Sequence, residues 1–249
     1  MFGHDFIAAL AARSLAAATL SEVKGPGDGP FMEHPHTAAD GTIAGTLRLW
    51  QGQGSSLIDR MVHFRLRSDP VDTQLFFLFG RADTAMPHFH GQVVQFAPDA
   101  CVFNADFLSR LDIIDHPAYF TEVFAPLTKP YWKAINDTDN ICALAPASPM
   151  IAAYLSPWTI GCGRPTNRAE LERVGPQIEA FVDHYLDLAG NLKYSGAETA
   201  ALADRDRRHL EQFFADELDP RAWKGVYDVI GEDAGRQVKA VFQTPLRAD

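Results

Sequence analysis

Two imidazoles and an amide occur at alternate positions of Met86-Pro87-His88-Phe89-His90-Gly91-Gln92-Val93-Val94-Gln95-Phe96. In a strand, alternate residues share a face, so His88, His90 and Gln92 project together. Imidazoles titrate near 6.5 and suit general acid–base work, whereas an amide can only orient a group by hydrogen bonding. Burying such a face costs desolvation unless each polar group finds a partner, and clefts are where proteins accept that cost. This face is the candidate active site. His34 or His36 could add a third metal ligand, but no nearby carboxylate completes a familiar set, so no metal is expected. His63 and His116 read as stabilisers of a sheet and a turn. His184 and His209 lie in expected helices beside acids, where i,i+3 or i,i+4 pairing explains them.

The elements that must position this face follow from local pattern. Leu47 to Trp50, Ile58 to Leu66, Gln74 to Phe79, His88 to Phe96 and Cys101 to Phe107 are β-branched or aromatic runs separated by turn residues, which predicts an antiparallel meander. Ile151 to Ile160 is expected to add a strand around Pro157. Phe2 to Leu20 reads as an amphipathic helix whose Phe6, Leu10 and Leu20 stripe could cap the sheet or pair two subunits in a homodimer. Gly25 to Gly45, dense in Gly, Pro and His, reads as a loop or lid. Asn167 with Glu170 forms a capping-box start for a helix carrying Leu171, Val174, Ile178, Phe181, Tyr185 and Leu188, with Pro176 inside it. Ser195 with Glu198 repeats the signal, and Asp233 to Phe242 suggests a last helix. Helices before and after a central, mainly antiparallel sheet make a three-layer α/β/α sandwich. One domain over 1–249 is expected, with 1–45 as an N-terminal helix plus loop.

Composition narrows the function. The 249 residues are 47% hydrophobic, enough for an ample core. Lys plus Arg number 22 against 32 Asp plus Glu, a formal charge of −10 that disfavours nucleic acid and anionic membrane as partners. His4, Asp5 and Arg13 argue against a signal peptide, and no apolar run reaches the ~18 residues of a span. Cys101, Cys142 and Cys162 match neither a disulfide framework nor a zinc knuckle, which points to a reducing cytoplasm. Cys162 between two glycines reads as a packed thiol rather than a nucleophile. Gly-x-Gly-x-x-Gly, the P-loop, His-Glu-x-x-His and Gly-x-Ser-x-Gly are all missing from the sequence, which disfavours a bound dinucleotide and the commonest protease and hydrolase chemistries.

From about Ser55 onward the chain resembles red chlorophyll catabolite reductases and, more distantly, ferredoxin-dependent bilin reductases. Ser55-Ser56-Leu57-Ile58-Asp59 with His63 resembles their early strand, and Ala85 to Val93 their Pro-x-Phe strand. Asp115-His116-Pro117-Ala118-Tyr119-Phe120, Leu155-Ser156-Pro157 and Leu202 to Arg208 resemble their His-Pro-x-Tyr, Leu-Ser-Pro and late-helix segments in the same order. The resemblance implies an α/β/α sandwich with a flat-ligand pocket between sheet and C-terminal helices, and reduced ferredoxin as an external electron donor, with no bound cofactor. It also implies a carboxylic acid on the Pro-x-Phe strand, where this chain has Gln92. Asp204 or Asp206 matches the late-helix carboxylate, against the alternative of a charged solvent face shared with Arg205, Arg207 and Arg208.

The chain further resembles bacterial offshoots of this superfamily that release formaldehyde from lignin-derived phenolic dimers by cofactor-free lyase chemistry. On that reading, ranked first, His88 or His90 is the base, Gln92 orients, Asp204 or Asp206 fixes an imidazole tautomer or a substrate hydroxyl, and Tyr154 or Tyr194 meets the phenol. Trp132 is a candidate for pocket wall or subunit contact. Ferredoxin-dependent reduction of a linear tetrapyrrole is the alternative, and non-catalytic binding of flat pigments the third.

Overall fold

The computed structural model describes residues 1–38, 41–139, 141–142, 149–162 and 164–246. The chain opens with α1 (Phe2–Ala17) and then lays down β1 (Leu20–Val23), β2 (Met32–Pro35), β3 (Ile43–Gly52), β4 (Ile58–Ser68), β5 (Val71–Gly80), β6 (His88–Ala97) and β7 (Ala100–Leu108). Three short helices follow, α2 (Pro117–Val123), α3 (Thr128–Asn136) and α4 (Pro149–Ala152), before a two-residue strand, β8 (Ile160–Gly161). Four helices end it: α5 (Arg168–Asn191), α6 (Thr199–Phe213), α7 (Pro220–Ile230) and α8 (Glu232–Gln243). All described strand pairs are antiparallel, in the order β1-β3-β4-β5-β6-β7-β8. β2 also joins β3, so β1 and β2 lie end to end along its outer side.

Strict alternation gives the sheet two buried faces. On one, Phe76, Leu78, Phe89, Val93, Phe103 and Phe107 meet α1, α2, α3 and α5. On the other, Leu47, Leu49, Val62, Phe64, Phe77 and Phe79 meet Leu210 of α6 and the apolar sides of α7 and α8. Each fully buried Phe or Leu contributes about 1.5–3 kcal/mol, so a sheet coated on both faces is held by its helices. This is the expected α/β/α sandwich.

α1 buries Gly3, Ile7, Leu10 and Ser14, the spacing of one helical face, and packs on β5, β6 and α5. A Cβ at Gly3 would lie 2.6 Å from Val93 Cγ1, so only glycine permits this approach to β6. Of the two uses expected for the stripe, capping the sheet is therefore the one that Leu10 serves, while Leu20 lies in β1 rather than in the helix. α5 starts on the expected capping box: Asn167 Oδ1 accepts from Glu170 N–H at 3.0 Å and Glu170 Oε2 accepts from Asn167 N–H at 2.9 Å. It continues through Pro176 to Asn191.

Two expectations change. The stretch 25–45, read as loop or lid, contains β2 and the start of β3, because Met32 and His34 find backbone partners in Leu47 and Gly45 despite the Gly- and Pro-rich setting. The strand expected over 151–160 is instead the end of α4, a turn and only the first residue of β8. Ser156 and Thr159 side chains bond local backbone there, and Pro157 has no N–H to give a ladder.

Candidate active site

β6 sends His88, His90 and Gln92 to the face covered by α6–α8, and Phe89 and Val93 to the other. Antiparallel register sets His90 opposite Phe77 on β5 and Asp106 on β7, and Gln92 opposite Asn104. Five polar side chains therefore share one strip across β6 and β7. Above it, α6 presents Asp206, His209 and Phe213 at i, i+3 and i+7, one helical face.

His88 is fully buried, and both ring nitrogens are engaged. Gly80 N–H donates to Nδ1 at 3.1 Å, and Nε2 lies 2.8 Å from Asp206 Oδ1. A nitrogen that accepts from a backbone N–H carries no proton, so the proton is on Nε2 and points at the carboxylate. Burial lowers the His88 pKa, and Arg110 and Arg60 add to that against the opposite pull of Asp206. Burial pushes Asp206 up, but His88, Arg110 and Arg60 outweigh it and bring the carboxyl down to about 2. Arg110 Nη1 stands 3.1 Å from Asp206 Oδ1, and Nη2 donates to the carbonyls of Ala82 and Leu202. The expected choice between late-helix acids thus resolves: Asp206 faces inward. Asp204 faces water, bound to Arg207 and Arg208.

His90 is 5% exposed, stacks on Phe77 at 4.5 Å between centroids and meets Phe213 edge-on at 5.9 Å. Burial lowers its pKa to about 3, so the ring is neutral. Its Nδ1 is buried and without a hydrogen-bond partner, as is Asn104 Oδ1 two residues along the strip. Such atoms are uncommon in folded proteins and mark places where a ligand can bond.

The carboxyl of the strip is Asp106. It is fully buried, and burial pushes its pKa up to about 7 against the downward pull of Ser156 and of the Phe107 backbone N–H. Oδ1 accepts from Phe107 N–H at 2.8 Å and from Ser156 Oγ–H at 2.5 Å, and Oδ2 accepts from Ser156 N–H at 2.7 Å.

A cleft of about 410 Å³ opens next to α6 and adjoins this strip through Ser156 and His209. Its walls are the outer side of α6 with Arg205, Arg208, His209 and Gln212, the turn from Ala153 to Pro157, and Phe120. Tyr154 stacks on His209 at 6.0 Å, and His209 lies 6.5 Å from the His88 ring. Burial lowers His209 to about 3, with His88 and Arg110 adding to the effect.

The structure brings together His88, Asp206 and, through His209, Tyr154, with His90 next along the strip and Gln92 beyond it opposite Asn104. It separates the others. Tyr194 bonds His116 Nδ1 at 2.6 Å and packs on Tyr119, outside the cleft walls, and Trp132 is 53% exposed on α3. His34 in β2 and His36 just after it lie four strand spacings and about 19 Å from β6, too far to share a metal with it. Among the described residues no three His, Cys, Asp or Glu gather as a metal site. His209 feels Asp206 three residues back but faces the cleft, and His184 feels Asp187 three residues on while donating to the Val123 carbonyl at 2.9 Å. Both are more buried than a surface pairing requires. Cys162 Sγ accepts from Phe103 N–H and its pKa is raised by burial, as a packed thiol's is.

Sequence reasoning missed Asp106, Ser156 and His209 as site residues. The signal for Asp106 was present in Asn104-Ala105-Asp106, whose alternation puts both polar groups on one face. What the pattern lacked was the β6–β7 register that sets Asp106 beside His90.

The sequence matches no protein-family model and no curated protein. In three dimensions it is similar to phytochromobilin synthase from tomato, solved in complex with biliverdin, with a TM-score of 0.73 at 14% identity over 95% of this chain and 80% of that one. No described helix is long and apolar enough to cross a membrane. At that identity the likeness is one of fold: the two chains share an antiparallel sheet sandwiched between helices.

Proposed function

We propose that this protein is an acid–base enzyme acting on a planar conjugated ligand held in the cleft between α6 and the Ala153–Pro157 turn, next to the β6–β7 strip. The observation that carries this is Asp106, a carboxyl sealed from water and bonded at 2.5 Å to Ser156 of the cleft wall, which burial pushes up to about 7. Acids and bases are most effective when their pKa lies near the working pH. His88 is reassigned from base to positioning group, because neither of its nitrogens is free. Tyr154 and His209 line the cleft and orient the ligand, and the Tyr154 ring stacked on His209 gives it a flat wall.

Within that class, likeness to a biliverdin-bound enzyme favours reduction of a linear tetrapyrrole, with electrons from reduced ferredoxin as the family resemblance implies. Asp106 then supplies the proton that Gln92 cannot. Cofactor-free cleavage of a phenolic dimer is a second reading, favoured by the cleft: about 410 Å³ lies toward the small end of ligand sites and suits two rings better than four. In that reaction the carbinol hydroxyl gives up its proton toward Asp106 at the Ser156 side of the cleft, the C–C electron pair becomes a C=C bond as the neighbouring side-chain oxygen leaves and takes up a proton, and formaldehyde is released.

Two assays separate the readings. Biliverdin whose spectrum changes only when reduced ferredoxin is supplied supports the reductase. Formaldehyde released from a phenolic dimer in air without reductant supports the lyase. Pigment bound but unchanged in both would leave a binder and overturn the enzyme.

A further inference from the structure

Asp106 carries the proton but does not line the cleft; Ser156 touches both. Ser156 Oγ is 2.5 Å from Asp106 Oδ1 and belongs to the cleft wall, whereas Asp106 is fully buried. We propose that Ser156 is the relay through which a proton passes between Asp106 and the ligand, an inference that rests on the acid–base role of Asp106 given above.

The hydroxyl has the bonding capacity the task requires. Ser156 Oγ accepts from Trp158 N–H at 3.1 Å. A hydroxyl has one hydrogen to give and two lone pairs to accept with. When Asp106 is ionised, Ser156 gives its hydrogen to the carboxylate and keeps one lone pair for a ligand proton. When Asp106 is protonated, its O–H donates to Oγ, Trp158 N–H fills the second lone pair, and the serine hydrogen is turned out to the cleft. Delivery then balances. The serine O–H bond breaks as the ligand gains that proton, the Asp106 proton forms the new O–H bond on Oγ, and the carboxylate remains.

The turn that carries Ser156 is held in a way that suits this role. Its backbone N–H is fixed to Asp106 Oδ2, Thr159 Oγ1–H donates to the Ser156 carbonyl at 2.8 Å, and Trp158 Nε1–H donates to Thr128 Oγ1 at 3.0 Å. These bonds leave the hydroxyl as the only group on the residue whose hydrogen can rotate.

The test follows the Asp106 carboxyl by infrared spectroscopy in the ligand-free full chain, with Asp106→Asn to assign its band. In the wild type the band titrates near 7, and after a pH jump it equilibrates rapidly. Ser156→Ala is expected to slow that equilibration about 100-fold, the scale of a lost proton-transfer partner, when each protein is jumped across its own midpoint, which loss of the Ser156 hydrogen bond moves upward. Ser156→Thr, which keeps the hydroxyl, restores the rate. Equal rates in wild type and Ser156→Ala would overturn the relay and leave the acid–base reading standing. A wild-type band that does not titrate near 7 would overturn both. A second readout uses bound biliverdin: Ser156→Ala is expected to bind it within about threefold of wild type yet protonate it about 100-fold more slowly after the same jump. Unslowed protonation there would count against the relay.

Discussion

A carboxyl that titrates near neutrality dictates the direction in which activity moves with pH. Asp106 gives its proton while protonated, so a reaction that needs it as acid falls as pH rises through about 7, and one that needs it as base rises through the same range. Asp106→Asn is expected to lower turnover on either substrate by about 10²–10⁴-fold and to abolish that inflection, as steady-state rates from pH 5 to 9 would show. Retention of the inflection in the variant would assign it to another group. The shared face of His88, His90 and Gln92 was legible because a period of two needs no tertiary information. The roles were not. That His88 has no free nitrogen depends on Gly80, eight residues back, whose own Cβ would stand 2.5 Å from the Met86 carbonyl. That Asp106 is the acid depends on pairing between strands, which composition does not encode.

The behaviour of α6 depends on which of its two acids faces the sheet. Asp206 holds the helix to β6 through His88 and neutralises Arg110, all at 2% exposure or less. Removing one partner of such a buried set leaves an uncompensated charge, so Asp206→Asn is expected to cost about 3–5 kcal/mol of stability, measured by urea unfolding. Asp204→Asn, in exposed ion pairs with Arg207 and Arg208, should leave the urea midpoint unchanged. Equal losses would mean that α6 is not anchored in this way. The family resemblance left the two acids ambiguous in register, although helical spacing separates them: Asp206 lies four residues from both Leu202 and Leu210, on their buried face, and Asp204 does not. The inward arginine agrees, and Arg110 belongs to the segment after β7, far from α6 in the chain. Elements with strong periodicity or caps, such as α5 and β4–β7, were readable. β2 and the 151–160 turn were not, because in one case tertiary pairing overrode local composition and in the other local side-chain bonds overrode apolar content.

Over the whole molecule, buried histidines set the acid limit. His63 is lowered to about 4, and His90 and His209 to about 3, in each case first by burial, against 6.5 when exposed. The unfolded chain therefore binds their protons first. The stability they contribute is complete above about 6.5 and is lost as pH falls toward 4 and below. Asp106 works in the opposite sense: raised from 3.8 to about 7, it stabilises most at low pH and loses that contribution as pH rises between those values. Three groups against one leave a net rise in Tm from pH 5 to 6.5. His90→Phe is expected to flatten that rise and Asp106→Asn to steepen it, as thermal unfolding across that range would record. A slope unchanged in both would place the titration elsewhere.

The pairing of β1 and β2 along β3 has a consequence for the purity of the folded state. β3 is ten residues long and carries Leu47, Leu49 and Trp50, with backbone donors and acceptors that would template another chain if left bare. Two short, separate strands blunt that template where one long strand would simply have moved it outward. Deleting residues 1–36 is therefore expected to yield a protein that self-associates through β3, with light scattering and thioflavin binding that rise with concentration. The N-terminal segment acts as a guard against aggregation as much as a part of the fold.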